Sequence, residues 1–114
     1  MNKEDYITYW RKKQSALATA NNFVQAIQNQ GVKLKKAILF GSHSSGKSHE
    51  WSDIDIALIA DEFSGINVQD LDYFINVTIQ KPFFAVEPHT FNTQEFETGN
   101  AFTKEIEKTG IVIF

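Results

Sequence analysis

The chain has 114 residues, 42% of them hydrophobic and ten of them Phe, which fits one domain spanning 1–114 and burying about two-thirds of its unfolded surface. It contains no Cys, so disulfides and thiolate metal sites are excluded and a reducing, cytoplasmic setting is expected. Eleven Lys and Arg against 14 Asp and Glu give a net charge of −3, the wrong sign for a dedicated nucleic-acid binder.

The opening MNKEDYITYWRKK lacks the apolar core of a signal peptide, and no run reaches the ~18 apolar residues of a membrane span. Residues 4–30 read as helix, with Tyr6, Trp10, Leu17, Phe23, Val24 and Ile27 near helical spacing and room for a break at Lys12–Ser15. Gly31 is a natural stop. Val32–Phe40 reads as the first strand, its Lys33, Lys35 and Lys36 forming a solvated edge. Asp53–Ala60 is the second, and its apolar run IDIALIA suits a central position. After a loop around Ser64-Gly65, Val68–Ile79 shows helical spacing, with Asn67 as its N-cap. Lys81–His89 reads as the third strand, with Pro82 near its start and Pro88 near its end. A helix from Gln94 to Lys108, capped by Asn92 or Thr93, turns Phe96, Phe102 and Ile106 inward; Gly110 ends it before the apolar tail Ile111–Phe114.

The chemistry concentrates in residues 37–60. Gly41-Ser42 ends one apolar run, ten residues pass, and Asp53-Ile54-Asp55 opens another. In an extended strand alternate side chains share a face, so Asp53 and Asp55 project together. Two adjacent carboxylates repel unless a cation lies between them, and hard cations such as magnesium take such oxygen ligands alongside substrate phosphates. Gly41 admits a ligand close to the backbone, and Ser42 offers a hydroxyl and an N–H to phosphate oxygens. A phosphate turn beside a metal-binding pair points to chemistry on a nucleotide.

Residues 41–48, GSHSSGKS, also satisfy the P-loop pattern G-x-x-x-x-G-K-[ST]. A P-loop needs a helix starting at its Lys, yet the pattern has become a strand by Asp53. Lys47 is therefore assigned to phosphate as a point charge, without the P-loop frame.

Glu87 is the only charged residue within PFFAVEP, and an acid in an apolar run calls for a partner or a metal. The short connector from Gly41 to Ser52 favours antiparallel pairing of the first two strands, which brings Ser42 to Asp53. A third strand antiparallel to the second then carries Glu87 to both aspartates; a parallel one would leave it roughly 15–20 Å away. His89 shares Glu87's face and is a candidate for orienting a carboxylate or water; His43 sits in the nucleotide loop, and His49 reads as exposed.

Gly41-Ser42, ten residues, Asp53-x-Asp55 and a later acidic strand resemble the signature of the polymerase-β-like nucleotidyltransferase superfamily, from about Ala37 to Phe91. The short chain looks like the minimal nucleotidyltransferase branch. The resemblance implies an α+β fold with a small, mixed, largely antiparallel sheet and helices packed on it. It also implies two magnesium ions, and ATP or another NTP attacked at its α-phosphate by a hydroxyl. Asp53, Asp55 and Glu87 would hold the metals, Glu87 would also activate the hydroxyl, and Gly41 and Ser42 would bind the outer phosphates. Many relatives have Arg where this chain has Ser45, and their third acid is commonly Asp.

Within that branch, short chains commonly pair with a helical HEPN toxin and adenylylate it, often on tyrosine. The leading expectation is an antitoxin of that kind. The alternatives are a non-catalytic antitoxin of the same fold and an enzyme modifying a small molecule such as an aminoglycoside. Phe83, Phe84, Phe91 and Ile111–Phe114 are candidates for partner contact.

Overall fold

A computed structural model describes residues 2–41 and 53–114. Helix α1 (Lys3–Asn29) opens with the Asn2 side chain accepting the Asp5 N–H at 2.8 Å, and Glu4 and Asp5 suit the positive end of its dipole. It runs unbroken through Lys12–Ser15, where its length left room for a break, and Gly31, at φ +95°, follows its end. Its buried stripe begins only at Ala16 and continues through Ala20, Phe23, Val24 and Ile27. Twenty-seven helical residues span about 40 Å, whereas a seven-residue strand spans about 23 Å. The helix therefore overruns the sheet. Tyr6 and Trp10, which fall near the helical spacing, are 54% and 40% exposed and pack edge-on against each other.

Among the described residues four strands form the sheet: β1 (Lys36–Phe40), β2 (Ile54–Ala60), β3 (Val86–Asn92) and β4 (Ile111–Val112), in the order β3-β2-β1-β4. β1 pairs antiparallel with β2 and β4, whereas β2 and β3 run parallel. The expected fold class stands: a small mixed sheet with helices packed on it. The first strand is shorter than expected, although Val32 and Leu34 are buried before it begins. The apolar tail is also more than a tail, since Ile111–Val112 completes the sheet as β4.

Between β2 and β3 the expected single helix is broken into α2 (Asn67–Asp70), a 3-10 turn and α3 (Ile75–Thr78). Asn67 is the first helical residue and not the N-cap; its side chain instead reaches β3, donating to Pro88 O at 2.9 Å and accepting from Thr90 N–H at 2.9 Å. The expected strand from Lys81 is also displaced. Pro82 sits in a 3-10 turn, and β3 begins at Val86. Pro88 is tolerated within β3 because that strand is an edge of the sheet. The last expected helix is two, α4 (Thr93–Thr98) and α5 (Ala101–Thr109), parted by Gly99 at φ +80°. Asn92 caps α4, and Asn100 and Thr103 form a reciprocal capping box on α5.

Strand alternation divides the core. One face of the sheet, carrying Ala37, Leu39, Ile54, Ile56 and Leu58, packs under α1 with Phe63, Phe74 and Phe83. Phe23 is fully buried there, edge-on to Phe83 at 5.5 Å, and its truncation to Ala would cost about 3–5 kcal/mol. The other face carries Ile38, Phe40, Ala57 and Ile59 and is covered by Phe96 and Ile106 of α4 and α5. Phe102, expected inward, is 50% exposed, although it touches Phe40 and Phe91. That second face bears the site.

Candidate functional site

The register aligns Phe40 with Asp55 on one side and Asp55 with Glu87 on the other. All three stand at one end of the sheet. The β2–β3 pairing is parallel, contrary to the antiparallel arrangement expected, but Glu87 still meets Asp55. The reason is the displaced strand: Glu87 is the second residue of β3, not near its last. Side chains in register on parallel neighbours share a face, and His89, two residues on, joins them.

The carboxylate oxygens of Asp55 and Glu87 and a ring nitrogen of His89 lie within 4.8 Å of one another. His89 Nε2–H donates to Asp55 Oδ1 at 3.0 Å. The ring is held from behind by Phe40, edge-on at 5.0 Å. Its register partner on the neighbouring strand is Ala57. Among the described residues no side-chain or backbone donor reaches Glu87. The arrangement offers two carboxylates and an imidazole converging on one point, a donor set that fits a divalent cation.

Gly41 closes the other side of Asp55. Its φ of +76° lies in the left-handed region, and a Cβ there would stand 2.5 Å from Asp55 Oδ2. Only glycine permits both the turn and the approach. Asp53 is exposed just before β2 and is not among the three converging residues. Ser42, Lys47, His43, Ser45, His49 and the rest of the P-loop pattern lie outside the described residues.

Two hollows flank the acids. Beside Gly41, a cavity of about 340 Å³ is lined by Phe40, Phe102, Glu105, Ile106 and Thr109 as well. Beside Glu87, a groove of about 230 Å³ is lined by Asn67, Val68, Leu71, Phe74 and Pro88. Val68 and Leu71, 83% and 41% exposed, make the second hollow largely apolar.

A second acid on the molecule went unread in the sequence. Asp70 is 2% exposed and accepts from Ser64 N–H at 2.8 Å, Gly65 N–H at 3.0 Å and the Thr90 hydroxyl at 2.7 Å. Burial pushes its carboxyl up, but these hydrogen bonds outweigh burial and hold it below its ordinary 3.8. The available signal was the turn Ser64-Gly65 with an acid five residues beyond it.

Residues 21–114 match the polymerase beta nucleotidyltransferase family, and the chain belongs to it. Its fold is similar to that of a candidate nucleotidyltransferase from Sulfolobus solfataricus, with a TM-score of 0.65 at 20% identity over 91% of this chain and 84% of that one. No curated protein matches the chain in sequence. No helix among the described residues is long and apolar enough to cross a membrane.

Proposed function

We propose that the protein is a magnesium-dependent nucleotidyltransferase that moves AMP from ATP to a hydroxyl, most simply a tyrosine of a HEPN partner toxin. The observation that carries the reading is the meeting of Asp55 and Glu87 on adjacent strands directly beside Gly41. Asp55 and Glu87, with Asp53 at the entrance, would hold the metal, which neutralises phosphate charge and stabilises the attacking and leaving oxygens.

The chain's own residues supply the rest. Gly41 opens the turn for the outer phosphates, with Ser42 and Lys47 beyond it in sequence. Pyrophosphate departs on that side, and the cavity there offers the exposed ring of Phe102 as a stacking surface for the base. In-line displacement then requires the attacking hydroxyl to approach from the opposite side, where Glu87 can accept its proton. As the new O–P bond forms, the bond from the α-phosphorus to the bridging oxygen breaks and the electron pair leaves with pyrophosphate.

The acceptor side favours a protein. The groove holding Glu87 is lined by Val68, Leu71, Phe74 and Pro88, so it suits an aromatic side chain carrying a hydroxyl. A polycationic aminoglycoside would find a single carboxylate among the described residues of that lining. Of the residues expected to contact a partner, Phe84, Val112 and Phe114 are exposed at 69%, 60% and 49%, whereas Phe83 belongs to the core. The alternative is a non-catalytic antitoxin of the same fold.

Intact-mass spectrometry of the partner, incubated with ATP, magnesium and this protein, decides between them. AMP-sized mass gain with wild type and none with Asp55→Asn supports transfer. Tight binding and neutralisation without mass gain would replace it with a purely binding antitoxin.

A further inference from the structure

Magnesium takes oxygen ligands almost exclusively, in near-ideal octahedral geometry. The three groups that converge here are two carboxylates and one imidazole, and imidazole suits transition ions. We infer that His89 is a metal ligand, and that the set Asp55, Glu87 and His89 prefers manganese(II) to magnesium. The inference rests on the nucleotidyl-transfer reading for its purpose but not for its test.

Three features of the structure carry it. The first is position: His89 follows Glu87 by two residues on an extended strand, so both side chains leave the same face of β3 toward Asp55. The second is orientation. Phe40 packs edge-on against the ring at 5.0 Å, and Nε2 lies 3.0 Å from Asp55 Oδ1. The third is spacing. Metal–ligand bonds of about 2.1 Å at a right angle place neighbouring ligand atoms about 3.0 Å apart. The separation between His89 Nε2 and Asp55 Oδ1 is 3.0 Å. An N–H···O bond has the same length, so the two atoms already stand at the separation of neighbouring ligands, and a modest turn of the ring aims the Nε2 lone pair at a cation shared with Asp55.

Among the described residues His89 is the third group that converges with Asp55 and Glu87, so the imidazole is placed as a donor beside the two carboxylates. Substituting nitrogen for one oxygen penalises magnesium more than manganese, whose octahedral chemistry accepts both donors. The consequence is a change in selectivity, not merely in affinity.

Manganese(II) binding to the protein without nucleotide, followed by electron paramagnetic resonance and displaced by magnesium, gives the ratio of the two affinities. We expect wild type to favour manganese at least about tenfold, and His89→Ala to lower that ratio about tenfold while changing magnesium affinity less than twofold. His89→Asp, an all-oxygen set, should bind magnesium more tightly than His89→Ala does. An unchanged ratio in His89→Ala, with both affinities falling together, would overturn ligation and leave His89 as a group that merely orients Asp55. Electron spin-echo modulation on wild type gives a second answer independent of any variant's folding: a nitrogen coupling to bound manganese supports the assignment, and its absence refutes it. Nitrogen coupling in a protein that transfers no AMP would retain this inference and sink the enzymatic one.

Discussion

Strand β3 carries an acid-binding arrangement on each face, and the two could hardly be more different. On one face Glu87 and His89 converge with Asp55; on the other Thr90 meets Asp70, and Asn67 grips the backbone at Pro88 and Thr90. Asp70 is surrounded by donors: two backbone N–H groups and a hydroxyl, all fixed by the local chain. A carboxylate so satisfied needs nothing more, and its work is to clamp the Ser64-Gly65 turn to the sheet. Asp55 has one imidazole beside it and a second carboxylate within ligand distance, and Glu87 has no donor among the described residues. Two carboxylates gathered around a single donor are poorly arranged for stability and well arranged for a cation. The lesson is that an acid's role follows from what already answers its charge, not from burial alone.

The sharpest way to break that contrast is to remove each acid and weigh stability. Asp70→Ala strands two N–H groups and a hydroxyl in a buried place, and should cost about 2–4 kcal/mol, a shift in Tm of roughly 10 °C. Asp55→Asn removes one of two neighbouring negative charges, and should leave stability within about 0.5 kcal/mol of wild type or raise it, while metal binding is lost. Urea denaturation of both variants, with and without manganese, reads this directly. Equal destabilisation by the two would show that both centres are structural.

A smaller effect separates the glycines. Gly41 and Gly31 have φ values of +76° and +95°, so Ala at either should cost about 1–2 kcal/mol in backbone strain. Around Gly31 a new Cβ meets nothing within 4 Å, whereas at Gly41 it meets Asp55 Oδ2. Gly41→Ala should therefore also weaken manganese binding, about tenfold or more, while Gly31→Ala leaves it unchanged. Calorimetric titration of the pair checks this. Equal metal affinity would mean that Asp55 can move aside without loss.

The same contrast explains what could be read in the sequence. The spacing from Gly41 to Asp55 and the isolated acid in PFFAVEP mark Asp55 and Glu87 as site residues, but the antiparallel strand expected to join them is parallel, and they meet through a different register. The direction of β3 was misread, since FFAV looks like strand while Lys81–Phe83 is a 3-10 turn. Apolar runs do not report where hydrogen bonding begins. Phe83 belongs to the core in either conformation, and only its backbone differs. Asp70 escaped because its partners lie in the turn before it and on a strand 20 residues away, a convergence visible only after folding. Tyr6 and Trp10 share the helical spacing of the buried residues yet are exposed, because periodicity says which face of a helix is apolar but not whether the sheet extends beneath it.

The finest test of the contrast is in acid. Asp70's carboxyl is held below its ordinary 3.8 in the folded chain, because hydrogen bonds from Ser64, Thr90 and Gly65 outweigh the upward push of burial. In the unfolded chain those bonds are gone, so between the two pKa values the unfolded state binds more protons. Stability must then rise with pH through that interval: the contribution is complete above the unfolded value and lost as pH falls through the folded one. Asp70→Asn cannot titrate, so its stability should follow a shallower slope below about pH 4, by less than the roughly 1.4 kcal/mol per pH unit that one whole proton represents. Above pH 5 the two curves should run parallel, offset by the cost of placing an amide against backbone N–H groups. Urea midpoints from pH 2 to 6 measure both slopes. Identical slopes would mean that the clamp survives protonation of Asp70, and that the donors around it recognise shape more than charge.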